Sequence, residues 1–179
     1  TKYNIAMLAN DLYTGNGAGY YIDVAGIGQE SDGDNTVAHS AGLVIQESGG
    51  SLANGEYILG GYASTSNSTT TADLPASVAS RWTRDWYIDK TGTVDSTLSF
   101  DFSEGGMGGT PSGGYVLLYR SGTSGTYSVV SLSSGPAIAG DQVQFAVPDA
   151  DLLDGYYTLG IDDTAPSVDI TDVTPDPRN

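Results

Sequence analysis

The side chains in this sequence best suited to chemistry are acids. In ESDGDN, the residues Glu30, Asp32, Asp34 and Asn35 are spaced so that one tight loop can turn several oxygens toward a hard cation, and calcium is the ion that such a set suits. The stretch is not an EF-hand loop, because Val37 stands at the sixth place, where that loop needs glycine. A solvated Asx turn uses the same residue types, so the stretch reads as a calcium loop or as a turn. Asp149, Asp151 and Asp154 in PDADLLDG carry the same two readings, and Gly155 tilts them toward a turn. A third acidic group, Asp162, Asp163 and Asp169, falls where a following module would begin.

Catalysis has little support, and the expectation is a non-enzyme. His39 is the only histidine and no nucleophile-elbow motif accompanies it, so it is expected to be a half-exposed strand residue. Zinc sites built on three histidines or on cysteine fail by count, since the chain has one His and no Cys. No glycine-rich loop with a lysine joins a strand to a helix, so nucleotide loops are missing. Paired carboxylates could serve glycoside hydrolysis, but with Asp at 18 and Glu at 4 many pairs arise by coincidence.

Charge narrows the partners. Twenty-two carboxylates face six cations, a formal net charge of -16, and nucleic acid is excluded because its recognition rests on Lys and Arg neutralising phosphates. The same surplus keeps a protein soluble in crowded or salty surroundings. No apolar run approaches the roughly 18 residues of a membrane span, so no membrane insertion is expected. Richness in Thr, Ser, Gly, Asn and Asp suits an exported surface module, so the expected place is extracellular.

Something must position these groups, and the patterning says strands. Glycine numbers 25 and tyrosine 12, Asp far exceeds Glu, and helix-forming runs of Ala, Leu, Glu and Lys are missing. Alternation in STLSFDFSE puts Leu98, Phe100 and Phe102 on one face and Thr97, Ser99 and Asp101 on the other. Strands are likewise expected over 55–62, 113–120, 126–133, 141–148 and 154–161, with less regular ones near 3–8, 19–27 and 37–47. The fold expected is all-β, an antiparallel β-sandwich of jelly-roll type with about 8–10 strands. DKTGT (89–93) is expected to be a tight hairpin, and one helical turn is expected after Asp73. Loops 28–36, 64–75 and 105–113 are expected to gather at one end of the sandwich, with Tyr62 and Asn67 as ligand contacts. There is no repeat at a fixed period.

RWTRDWYIDK (81–90) concentrates both tryptophans and three cations. As a strand it turns Trp82, Arg84, Trp86 and Ile88 to one side and Arg81, Thr83, Asp85, Tyr87 and Asp89 to the other. The expectation is core, with the Arg84 guanidinium stacked on a ring and paired with a buried carboxylate. The alternative is an exposed sugar or peptide platform on the two indoles.

Resemblance adds to this. Arg84, Trp86, Ile88, Thr91, Gly92 and Val94, continuing to Ser99–Ser103, resemble a β-sandwich module of very large repeat-containing bacterial surface and adhesin-like proteins. DVAGIGQESDGDN and LANGEYILGGY are similar to earlier strands of that module, and PSVDITDVTPDPRN resembles the start of a bacterial immunoglobulin-like repeat. In such modules the Arg and Trp pattern is internal scaffold, and no ligand-binding residue carries over. The expected organisation is a β-sandwich over 1–163 and a semi-rigid linker over 164–179. The expected role is non-catalytic binding of carbohydrate or peptide for adhesion, with calcium assisting. Two alternatives stay open: a structural spacer or filament subunit that touches only neighbouring modules, and an accessory domain of a glycoside hydrolase.

Overall fold

The computed structural model describes residues 12–50 and 52–162. A 3-10 turn, Gly15–Ala18, precedes β1 (Ile22–Glu30), β2 (Gly33–Asn35), β3 (Val37–Ser40), β4 (Leu43–Glu47), β5 (Tyr57–Tyr62), β6 (Thr69–Thr70) and β7 (Val78–Trp82). Then come β8 (Trp86–Thr91), β9 (Ser96–Asp101), β10 (Tyr115–Arg120), β11 (Ser128–Val129), β12 (Ala137–Ala139), β13 (Gln142–Val147), a 3-10 turn at Asp149–Asp151, and β14 (Gly155–Asp162). No helix among the described residues is long and apolar enough to cross a membrane.

The strands form two antiparallel sheets packed as a sandwich. The larger runs β11-β10-β14-β8-β5-β1-β2, with β7 continuing the line of β8 along β14 and β6 pairing with β7; the smaller runs β12-β13-β9-β4-β3. Leu98 and Phe100 of β9 point inward with Leu43, Ile45, Val143 and Phe145. They meet Ile58, Trp82, Trp86, Ile88, Leu117 and Leu159 from the larger sheet. Aromatic rings lock the seam edge to face: Phe100 lies 5.8 Å from each indole, centroid to centroid.

The larger sheet is also covered on its outer face. Tyr57 and Leu59 of β5 point outward beneath Tyr13, Val24 and Tyr87. This is why all six residues of β5 are buried. Two adjacent glycines let both layers close on that strand. A Cβ on Gly60 would lie 3.0 Å from Ile45 on the core side, and one on Gly61 would lie 2.8 Å from Val24 on the outer side.

Several expectations are corrected. DKTGT is no hairpin: β8 ends at Thr91 in the larger sheet, while β9 begins at Ser96 in the smaller one, paired with β4 and β13. The turn chemistry was read properly, since Gly92 has φ 86, but the chain uses it to change sheets. Among the described residues there are fourteen strands where 8–10 were expected, because several are only two or three residues long, the 126–133 run shrinking to Ser128–Val129. After Asp73 there is a turn without helix, with Asp73 itself at φ 60. Residues 80–89 are two strand segments instead of one. The strand expected near 3–8 lies outside the described residues, as does the 164–179 linker.

The loops do not share one end. Gly28 pairs with Tyr57 and Ile22 with Tyr62 along the same antiparallel ladder, so the 28–36 hairpin leaves one end of β5 and the 64–75 segment the other. Loop 105–113 belongs with 64–75, because the Asn67 amide donates to the Gly106 carbonyl at 3.0 Å.

Phe100 makes the seam, so Phe100→Ala should lower unfolding stability by about 3–5 kcal/mol. Urea unfolding followed by circular dichroism measures this, and a change below about 1 kcal/mol would contradict the packing described.

Candidate functional site

Ionisable and aromatic side chains gather where β7 passes into β8. Arg81 of β7 faces Gly160, and Trp86 of β8 faces Tyr157, so three steps along β14 are matched by five along its partner. Two extra residues form a bulge at 83–85. Thr158 fills the gap, its hydroxyl donating toward the Trp82 carbonyl at 3.2 Å and the Arg84 carbonyl at 2.7 Å. An insertion of two keeps the parity of alternation, so Trp82 and Trp86 both stay inward, 2% and 0% exposed.

Within the bulge Arg84 and Asp85 keep the opposite directions that alternation gives them. Arg84 faces the sandwich seam, where its guanidinium lies 4.8 Å from the Tyr62 ring centroid and 5.9 Å from that of Trp86. Nη1 donates to the Ala41 carbonyl at 2.5 Å and Nη2 to the Thr65 carbonyl at 3.0 Å. The expected stacking is there. The expected carboxylate partner is not among the described residues: two carbonyls, from the β3–β4 turn and from the loop after β5, hold the charge.

Asp85 faces the outer side and collects donors from three segments: the Tyr20 hydroxyl at 2.8 Å, the Tyr127 hydroxyl at 2.5 Å and Arg120 Nη2 at 2.8 Å. Arg81 and Arg120 both lie against the Tyr127 ring, 4.8 and 4.4 Å from its centroid, and both approach Asp73, at 3.8 and 3.6 Å. Burial first, and then the Asp85 charge, push the Tyr127 and Tyr20 hydroxyls well above the ordinary tyrosine range. Burial works against the Arg120 charge, but Tyr127 and Asp85 outweigh it and hold the guanidinium more firmly protonated. Nearby, Asp89 accepts from the Thr14 amide and hydroxyl at 2.6 and 2.7 Å and fastens the covering segment to β8.

The acidic groups singled out by sequence have varied surroundings. Glu30 accepts from the Tyr57 hydroxyl, and Asn35 donates to the Gly26 carbonyl at 2.7 Å. Asp34 stands opposite Gln29 on the other side of the β1–β2 hairpin, and Asp32 is exposed in its turn. Asp149 meets Lys90 Nζ at 2.5 Å, and Asp154 accepts the Lys90 amide at 2.9 Å. The Lys90 hydrogen bond, foremost, holds the Asp149 carboxyl below its ordinary range. Asp151 is half-buried in its 3-10 turn. Asp162 ends β14, and Asp163 and Asp169 lie outside the described residues. Among the described residues, no three His, Cys, Asp or Glu side chains gather closely enough to hold a metal ion.

Of the two expected ligand contacts, Asn67 is exposed, whereas Tyr62 is only 7% exposed and lies in the core beneath Arg84. Tyr62 looked available because it precedes a polar loop, yet period two along β5 places it inward with Ile58 and Gly60. His39 is exposed on β3, its Nδ1 2.9 Å from Glu104. Sequence reasoning missed the Asp85 centre, because its partners Tyr20, Arg120 and Tyr127 are far apart in the chain. Their only local signal is that Arg and Tyr occupy positions that alternation assigns to solvent.

The four cations among the described residues are all drawn in. Arg84 is 7% exposed, and the side chains of Arg81, Arg120 and Lys90 are 8%, 9% and 16% exposed. What remains outside is acid.

A pH dependence follows from the tyrosines. The fold favours the neutral hydroxyls of Tyr13, Tyr20, Tyr127 and Tyr157, each shifted upward chiefly by burial. Their contribution is intact below the unfolded value of about 10 and is lost as pH rises above it. The expected slope is about 1.4 kcal/mol per pH unit for each tyrosine that stays protonated in the fold. Urea midpoints between about pH 8 and 11 should fall above about pH 10, and Tyr127→Phe should flatten the fall. Asp85→Asn should cost roughly 2–4 kcal/mol at neutral pH by the same measurement.

No protein-family model matches the chain, and neither the search of curated proteins nor that of solved structures found a match.

Proposed function

We propose that this chain is a non-catalytic, extracellular β-sandwich module whose role is architectural, a stiff acidic spacer between neighbouring modules of a surface protein. The observation that carries this reading is the use made of its recognition-competent side chains. Trp82, Trp86 and Tyr62 are buried in the seam, and Arg81, Arg84, Lys90 and Arg120 join the chain to itself. The outer surface keeps an excess of like charge, which separates copies and favours extension.

A second reading is supported by one contact. Loops 63–68 and 103–109 touch through Asn67 and Gly106, with Ser66 and Thr83 hydroxyls 2.7 Å apart beside them. The exposed Asn67 amide and these half-buried hydroxyls suit a carbohydrate or an extended peptide, and calcium belongs to this reading through Glu30, Asp32, Asp34 and Asn35 at the opposite end.

Thermal melting in calcium and in chelator, together with glycan and peptide arrays, separates the two. The architectural reading expects the same melting midpoint in calcium and chelator, a midpoint that rises with monovalent salt as like charges are screened, and no array retention. A specifically bound ion at about 100 times its Kd would add about 2.7 kcal/mol, a shift of several degrees. That shift, or array binding abolished by Asn67→Ala, would favour the second reading.

A further inference from the structure

The flank where β11 and β12 end the two sheets differs from the rest of the surface. Residues 121–140 carry no Asp, Glu, Lys or Arg and form the longest uncharged run in a chain of 22 acids and 6 cations. The opposite flank, at β2 and β3, bears Asp34, His39 and Glu104. Along the uncharged flank runs a trough lined by Tyr115, Leu117, Val130, Leu132, Pro136 and Phe145, and beside it Val129 of β11 and Ile138 of β12 are 37% and 45% exposed.

Sheets protect free edges with charge, proline, brevity or a covering segment, and among the described residues brevity is the only such device at β12. Ala139 and Gln142 close a two-residue turn at Gly140 and Asp141, which makes them a hydrogen-bonded pair and makes Ala137 and Gln144 the next one. Ile138, between them, therefore points its N–H and C=O away from β13. Its side chain lies on the inner face with that of Val143, its partner across the ladder, but the sheet stops at β12 and leaves it uncovered.

We infer that two copies of this chain join through β12, antiparallel about a two-fold axis at Ile138. The two Ile138 residues exchange both backbone hydrogen bonds, each Ala137 faces the second copy's Ala139, and two five-stranded sheets become one of ten. Pro136, which has no N–H, and the turn at Gly140 limit the ladder to these three residues. The occupant is a second copy because a two-fold contact sets a patch against itself. Wherever the surface is acidic, self-contact puts acid against acid, and residues 121–140 are where it does not. The acid next to the strand, Asp141, is held with its counterpart at opposite ends of the ladder, roughly 15–20 Å apart and beyond a Debye length. The two troughs meet on one side of the joined sheet, so each copy covers the apolar flank of the other. Pairing uses up both edges, so association stops at the dimer.

Sedimentation equilibrium of the full chain tests this. The contact is small, so the expected result is a monomer–dimer equilibrium with a dissociation constant below about 1 mM. That constant should rise at least about tenfold in Ile138→Lys, which keeps the wild-type circular dichroism because the position is exposed, and fall at least about threefold between about 50 and about 500 mM NaCl. The chain has no cysteine, so Ile138→Cys supplies one thiol per molecule, and mild oxidation should link two copies, since paired Cα atoms about 5.5 Å apart accept a disulfide. Val37→Cys, exposed on the β3 edge of the opposite flank, should stay unlinked. A monomer at about 1 mM, a dimer that Ile138→Lys leaves intact, or cross-linking of Val37→Cys in place of Ile138→Cys would overturn the inference. A monomer would leave the spacer reading as it stands, because that reading concerns charge on the remaining surface.

Discussion

Two extra residues between Trp82 and Trp86 govern the rest of the molecule. Without them, the strand opposite β14 would run straight. Alternation sends Arg84 and Asp85 to opposite sides of the larger sheet, and the bulge places both beside Thr158, so this one stretch ties the sheet to the layer beneath it and to the layer above it. Arg84 holds the β3–β4 turn and the loop after β5, while Asp85 holds the covering segment at Tyr20, the end of β10 at Arg120 and the long loop at Tyr127. Buried charges of this kind add little net stability when every partner is present and remove much when one is lost. Their effect is to specify one arrangement out of several that an apolar core alone would accept.

What could be read in advance is what local periodicity encodes. Leu98, Phe100 and Phe102 alternate with polar residues and lie inside, and Trp82, Trp86 and Ile88 do the same because the bulge inserts an even number of residues. The all-β sandwich follows from these patterns. Connectivity does not: Gly92 makes the same left-handed turn whether the chain folds back or crosses to the other sheet, and only the partners of β9, at residues 43–47 and 142–147, decide it. The end at which each loop emerges was misread for the same reason, since register is a property of pairs; Tyr62 is a different case, because period two along β5 already turns it inward with Ile58. The outer tyrosine layer escaped notice because alternation labels Tyr87 and Tyr156 as solvent-facing, and the segment that shelters them comes from residues 13–20.

The sheltered layer also accounts for how so acidic a chain keeps its cations. Guanidinium groups lie flat on tyrosine rings and share carboxylates, a geometry that lysine does not reproduce. Three of the four described cations are arginine, and each of these contacts a ring. Lys90 does a different job, tying the end of β8 to the turn at Asp149.

Strand β14 is the last of the described strands to be made, yet it sits inside the larger sheet, bonded to β10 on one side and to β8 and β7 on the other. During vectorial synthesis, therefore, β8 and β10 wait with open ladders until residue 162 has cleared the ribosome. Closure of the sandwich is a late, long-range event, slow by the topology of its contacts. For a nascent chain in that condition, strong like charge is a safeguard, holding half-built neighbours apart until their own β14 arrives.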